Sequence, residues 1–332
     1  MFEPRKHQAP AARLWSLLSP LGAYAPIGLL FLVGLPMLSL SRIALMLWQW
    51  DRVAATGIWL DMLLQGVRVD IIQLSLLGLP LLLLAPVLAM HRTWRFWRVL
   101  SRYWVVLSVA LLALLEMASP AFINEYDSRP NRLFVEYLKY PAEVFPMLWN
   151  GFRLHLVGGT LATTFVVWAM VRLTRAWLTV APSWSRLKLW LTWPLLALLA
   201  LVAIRSSLDH RPANPALFAL TNDAMVNTLI LNSAWSVTHA IYGMKHEARS
   251  SEIYGTMKEE EILKQVEASR QLLQDKRPLL GDKEIPTLTE QKAATRHERP
   301  LNLVIILEES LGATFVESLG GIPVTPELEK LK

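Results

Sequence analysis

The stretch best suited to chemistry is LNLVIILEESLGATF, residues 301–315. Seven residues that suit a buried strand run into Glu308, Glu309 and Ser310, with Gly312 close behind. Val304, Ile305 and Ile306 are β-branched, and so continuous an apolar run fits a central parallel strand covered on both faces. Open α/β sheets bind ligands at the carboxyl ends of their strands, where the two glutamates fall. A carboxylate there is a hard-oxygen ligand for Mn²⁺, Mg²⁺ or Zn²⁺. Acidic residues also end strands for solubility alone, and spacing does not separate the two readings. The neighbouring threonines carry less: Thr325-Pro326-Glu327 reads as a helix start, with threonine at the N-cap and proline at the first helical position. Thr314 follows the strand without a basic partner in the sequence.

What must position this stretch is mostly membrane. The chain of 332 residues is 53% hydrophobic, only 18% charged and carries 14 tryptophans. A helix needs roughly 20 apolar residues to cross a bilayer core. Five stretches meet or approach that: Ala25 to Trp48, then 71–90, 103–123, 154–171 and 187–204. The first is too long for the apolar region of a cleavable signal peptide, and four more follow. Arg42 lies near its far end, where it is expected to snorkel to the interface. Glu116, near one end of the third, reads as interfacial or as a carboxylate facing a lipid-headgroup path.

Charge sets the direction. Arg5, Lys6 and Arg13 at the amino terminus, Arg92, Arg95, Arg98 and Arg102, and then Arg172, Arg175, Arg186 and Lys188 have almost no acidic neighbours. The positive-inside rule makes these segments cytoplasmic and sends everything after the fifth span outside. The four arginines from 92 to 102 recur at helical spacing around Trp94 and Trp97. That suits topology charge with interfacial tryptophans, or an anionic-lipid site. The net charge of +6 is spent on these segments, which argues against nucleic acid as a partner. Cysteine is absent, so there is neither a disulfide framework nor thiol chemistry.

The loop FINEYDSRPNRLFVEYLKYPAEVFPMLWNGF is too long for a connector, and its aromatics at helical intervals suggest short interfacial helices. Glu125, Asp127, Arg129, Arg132 and Glu136 within it are candidates for touching a headgroup. After the fifth span, NPALFALTNDAMVNTLILNSAWSVTHAIY suggests one or two amphipathic helices on the outer leaflet or against the spans. Thr256 and Glu259 form a capping box ahead of a charged linker helix.

The five spans, the amphipathic linker and NLVIILEESLGATFVESLGGIPVTPELEKL together resemble the lipoteichoic acid synthase-type phosphoglycerol transferases of the alkaline phosphatase and sulfatase superfamily. EYDSRPNRLFVEYLKYPAEVF resembles the outer loop of their Gram-negative relatives. The resemblance covers nearly all of this chain but only the first strand and helix of the family's catalytic domain. It implies a mainly α chain: a five-helix transmembrane domain over 1–204, extracytoplasmic amphipathic and linker helices over 205–299, and the start of an α/β sulfatase-like domain over 300–332. It implies a bacterial cytoplasmic membrane with the carboxyl terminus outside. Glu309 matches the family's strand-end metal ligand, the metal being Mn²⁺ or else Mg²⁺ or Zn²⁺. The implied reaction moves glycerophosphate from phosphatidylglycerol, through a metal-activated threonine, to an extracytoplasmic glycan or glycolipid acceptor. That threonine is expected beyond Lys332, so the 332-residue chain alone is expected to be inactive. A phosphoethanolamine transferase shares the span count, but its strand end tends to read Gly-Glu-Thr where this chain reads LEES. An inactive membrane module follows if 332 residues is the natural length.

The orientation is open to direct measurement. Alkaline-phosphatase fusions after Lys245 are expected to be active and fusions within 92–102 inactive, and the reverse pattern would overturn the topology.

Overall fold

The computed structural model describes residues 10–208, 210, 212–247, 255, 257–273, 277–281, 285, 287–290, 304–305 and 311–331. The chain separates into two compact units, Met1–Tyr254 and Gly255–Lys332. The described residues are mainly helical and contain no β-strand.

Five helical segments of the first unit are long and apolar enough to cross a membrane: Leu14–Trp48, Trp59–Leu88, Trp94–Tyr126, Arg153–Thr179 and Arg186–Arg205. In chain order its helices are α1 (Pro10–Leu18), α2 (Ala25–Trp48), α3 (Trp50–Thr56), α4 (Trp59–Leu88), α5 (Trp94–Tyr126), α6 (Arg132–Tyr137), α7 (Pro141–Gly151), α8 (Arg153–Leu173), α9 (Arg186–Arg205), α10 (Ala224–Ile230) and α11 (Ser233–Glu247). The core is formed by α2, α4 and α5, with α8 packed on α5 and α9 on α4. Most side chains of α8 and α9 are exposed, as suits helices bathed in lipid.

Two of the spans outrun the apolar runs that mark them. Because α4 begins at Trp59, Asp61, Arg68 and Asp70 are helical rather than in a loop. Because α5 begins at Trp94, the arginines at 95, 98 and 102 ride on its first turns. Good helix formers carry a helix past the end of its apolar stretch at little cost. The ends of the unit can therefore be named by chemistry: a basic end, where these arginines sit, and a distal end opposite.

The basic end is locked by indoles. Trp15 stacks on Trp177 at 4.9 Å between ring centres, and Trp94 meets Trp177 edge-on at 5.6 Å. Each indole N–H has a partner: Trp15 donates to Leu173 O (2.8 Å), Trp94 to Val180 O (2.8 Å), Trp97 to Ala23 O (3.2 Å) and Trp177 to Ser101 Oγ (3.0 Å). Trp94 and Trp97 are thus buried, not interfacial as their flanking arginines suggest. Arg98 donates to Val180 O (3.0 Å) and Arg102 to Val171 O (3.2 Å), tying α5 to the α8–α9 connection and to the end of α8, while Arg92 and Arg95 are exposed.

In the second unit, α12 (Glu259–Leu272) has Lys258 at its N-cap with no side-chain cap. The expected capping box therefore does not start this helix, and Thr256 itself lies outside the described residues. Three glutamates in its first turn favour the helix through the dipole instead. Thr325 does precede α13 (Pro326–Glu329), with proline in the first turn, but its hydroxyl donates to Phe315 O (2.8 Å). Of the expected strand at 301–307, only Val304 and Ile305 are described, both exposed and neither paired as a strand.

The indole lock predicts a contrast. Trp177→Ala should destabilise the bundle by about 3–5 kcal/mol, the cost of emptying a packed aromatic site. Trp168→Ala, on the exposed side of α8, should change the thermal midpoint in detergent far less.

Candidate functional site

Two arginine–carboxylate pairs lie buried toward the distal end of the first unit. On α2, Arg42 is six residues short of Trp48, about 9 Å along the axis. Instead of snorkelling outward it turns into the core and makes a two-pronged pair with Asp70 of α4, Nη1 to Oδ2 at 2.7 Å and Nη2 to Oδ1 at 2.6 Å. Its Nε–H donates to Ile230 O at 3.1 Å. Gly66 makes the room, since a Cβ there would stand 2.3 Å from Arg42 Nε. The second pair joins Glu116 of α5 to Arg129, whose Nη1 donates to Glu116 Oε2 at 2.7 Å. Ser41 Oγ also donates to that carboxylate. All four charged side chains are almost wholly shielded from solvent.

The pairs are bridged by the turn between α10 and α11. Met225, Val226, Leu229 and Ile230 of α10 are fully buried against Leu45, Met46, Val53, Met62 and Val69, so apolar burial drives this segment into the distal end. Asn232 then donates from Nδ2 to Asp70 Oδ1 (3.0 Å), and its Oδ1 accepts the Trp235 N–H (2.8 Å) as an N-cap. The Ser233 N–H donates to Glu116 Oε1 (2.8 Å), placing a carboxylate at the start of α11, where the helix dipole favours it. Ser119 and Ser233 share a hydrogen bond of 2.5 Å between their hydroxyls. Adjacent residues on α2 (Ser41, Arg42) and adjacent residues in the turn (Asn232, Ser233) thus each touch both pairs. With every charge compensated, the cluster is neutral and suits fixing a backbone rather than moving protons.

Nearer the surface, Arg52 of α3 gathers two more carboxylates. It bonds Asp127 at 2.5 and 3.0 Å, and Asp223 at 2.7 and 2.8 Å. Asp127 closes α5 in the left-handed conformation, and Asp223 caps α10 through the Val226 N–H at 3.1 Å. The bonds from Arg52 hold the Asp223 carboxyl below its ordinary range, and the two aspartates raise the guanidinium further. A carboxylate with a lowered folded pKa adds stability above its unfolded pKa and loses it as pH falls through the folded value. This tie therefore persists at neutral pH and weakens only in strong acid.

The long loop turns back on α5. Asn131 caps α6 through the Leu133 N–H (3.0 Å), Arg132 pairs with Glu136 (2.7 Å), and the Tyr126 and Tyr137 hydroxyls bond each other. Of its five charged candidates, Arg129 points into the core, Asp127 serves Arg52, Arg132 and Glu136 pair, and Glu125 alone borders a groove. That groove, about 370 Å³, runs between α5 and α8 under α6 and α7. The expected metal ligand Glu309 and its neighbour Glu308 lie outside the described residues. Among the described residues no group of three His, Cys, Asp or Glu side chains could hold a metal. No family model matches the sequence, and no solved structure matches the chain.

Breaking the deep pair should cost far more than breaking the rim. Removing one partner of a buried pair leaves an uncompensated charge worth about 3–5 kcal/mol, whereas exposed pairs contribute roughly 0–1 kcal/mol. Arg42→Met should lower the thermal midpoint sharply, Arg52→Met only slightly, and Arg42→Met/Asp70→Leu should recover part of the loss. Equal effects at the two arginines would show that the deep pair does not hold the turn.

Proposed function

We propose that this chain is the membrane portion of a transferase that moves glycerophosphate from phosphatidylglycerol to an extracytoplasmic glycan or glycolipid, working in the bacterial cytoplasmic membrane. One observation carries the reading. The chain leaves the membrane unit through α11, a helix fixed at its first residues by Asp70 and Glu116, and not through the free end of a span. A catalytic domain that acts on lipid headgroups needs an anchored departure of this kind, close to the membrane surface. The resemblance of residues 302–331 to the start of a sulfatase-like domain supplies the chemistry. Glu309 would be one ligand of a divalent metal, with the nucleophilic threonine outside this sequence. The amino terminus and the arginine-rich end would face the cytoplasm.

The test uses membranes expressing the complete reading frame, supplied with Mn²⁺ and headgroup-labelled phosphatidylglycerol. Glycerophosphate should appear on an acceptor. Glu309→Ala should abolish the transfer and Glu308→Ala should reduce it less, while the 332-residue chain alone should give no turnover. Equal loss from both alanine changes would remove Glu309 as the ligand. Transfer from phosphatidylethanolamine in place of phosphatidylglycerol would move the assignment to a phosphoethanolamine transferase, and transfer from neither would overturn the enzymatic reading.

A further inference from the structure

The groove between α5 and α8 has the shape and polarity of a lipid seat. Its volume of about 370 Å³ falls within the roughly 300–1,000 Å³ of pockets that take small molecules. Along α8 it extends from Phe152 to Thr160, eight residues or about 12 Å. That is close to the depth of one leaflet, half of a hydrocarbon core of about 30 Å.

Its polarity runs in one direction. The deep walls are largely apolar, with Leu114, Met117 and Ala118 on α5 and Gly159 on α8. The polar lining collects at the distal rim, with Glu125 and Tyr126 at the end of α5, Tyr137 on α6 and His155 on the first turn of α8, while Thr160, farther along α8, donates its hydroxyl to Leu156 O (2.7 Å). The Tyr137 hydroxyl joins that of Tyr126. An occupant must therefore be an amphiphile, apolar at depth and polar at the rim.

The floor is kept empty by small residues. Gly159 lines the groove from inside α8, where it costs about 0.5–1 kcal/mol relative to alanine. Close helix approach does not demand it. A Cβ there would stand at an ordinary 3.4 Å from Met117 Cβ. Larger side chains at Gly159 or at Ala121 opposite would instead fill the groove. The cover α7 has no buried residue and turns Val144, Phe145, Met147 and Leu148 to the groove, its polar side chains Glu143 and Asn150 lying outside the lining. A second cleft of about 300 Å³ between α2, α4 and α9 has Tyr24 and Ser75 as its polar lining, and the Tyr24 hydroxyl is already donated to Leu189 O (3.2 Å).

We propose that this groove holds one acyl chain of a membrane glycerophospholipid, with the headgroup at the rim formed by Glu125, Tyr126, Tyr137 and His155. The inference does not need the transferase reading. That reading would make the lipid the donor, but occupancy is measured without turnover.

The test places the 332-residue chain in nanodiscs containing phosphatidylglycerol with a photoactivatable diazirine on one acyl chain, and maps the labelled peptides after illumination. Labelling at 114–126 and 152–160 should exceed, severalfold, that at Leu191, Leu195 and Leu198 on the exposed side of α9. Gly159→Trp should remove the excess, and Gly159→Ala, which meets no clash, should retain it. Should Gly159→Trp fail to fold, Ala121→Leu provides the filled groove. Equal labelling of groove and α9, or an excess that survives filling in a folded variant, would overturn the proposal and leave only ordinary boundary lipid.

Discussion

Four charges without water must be held by one another, and the distal end of the membrane unit is arranged around that requirement. Arg42 against Asp70 and Glu116 against Arg129 exchange the hydration of free ions for short charged hydrogen bonds. Such pairs are not strongly stabilising in themselves, because desolvation consumes most of the attraction. Their force lies in what they forbid. Any arrangement that withdraws one partner leaves a bare charge in a low-dielectric interior, so the four helices and loops that carry them have little freedom. The Asn232–Ser233 turn inherits that restriction because its amide and backbone N–H complete the two carboxylates.

The membrane character of the chain was legible, and the chemistry of its core was not. Five apolar runs announced five helices because the bilayer demands length and composition before anything else. The helical loop around Asn131 and the helix start at Thr325 were also readable, each from local residue types. Arg42 and Glu116 were misplaced because a charge near the end of an apolar run looks interfacial when its partner is unknown. Asp70 sits just outside an apolar run and Arg129 in a loop, so neither could be matched to its partner from spacing. One signal was available: a charge within a span is a functional or paired group by default, and Asp70 is the acid nearest to the second span. Trp94 and Trp97 misled for the converse reason, since flanking arginines suggested a headgroup belt where the indoles were needed as packing and as N–H donors.

The two ends of the unit solve the same packing problem with different chemistry. At the basic end, large aromatic surfaces fill the space and single N–H groups find carbonyls, so little charge is buried. At the distal end, charge is buried and small side chains leave space open. The contrast matches a unit whose one end only has to be closed and whose other end receives α10 and the start of α11.

The spacing of the buried contacts along the chain also sets an order of assembly. Arg42 and Asp70 are 28 residues apart, and Glu116 and Arg129 are 13 apart, so each pair can form soon after its span is synthesised. The bridging contacts span far more, 162 residues from Asn232 to Asp70 and 117 from Ser233 to Glu116. Until residues 232 and 233 are synthesised, Asp70 lacks the Asn232 amide and Glu116 Oε1 lacks the Ser233 N–H. The bridge between the two pairs is thus the last of these contacts to become available, and the arrival of α10 and α11 is the event that ties them together.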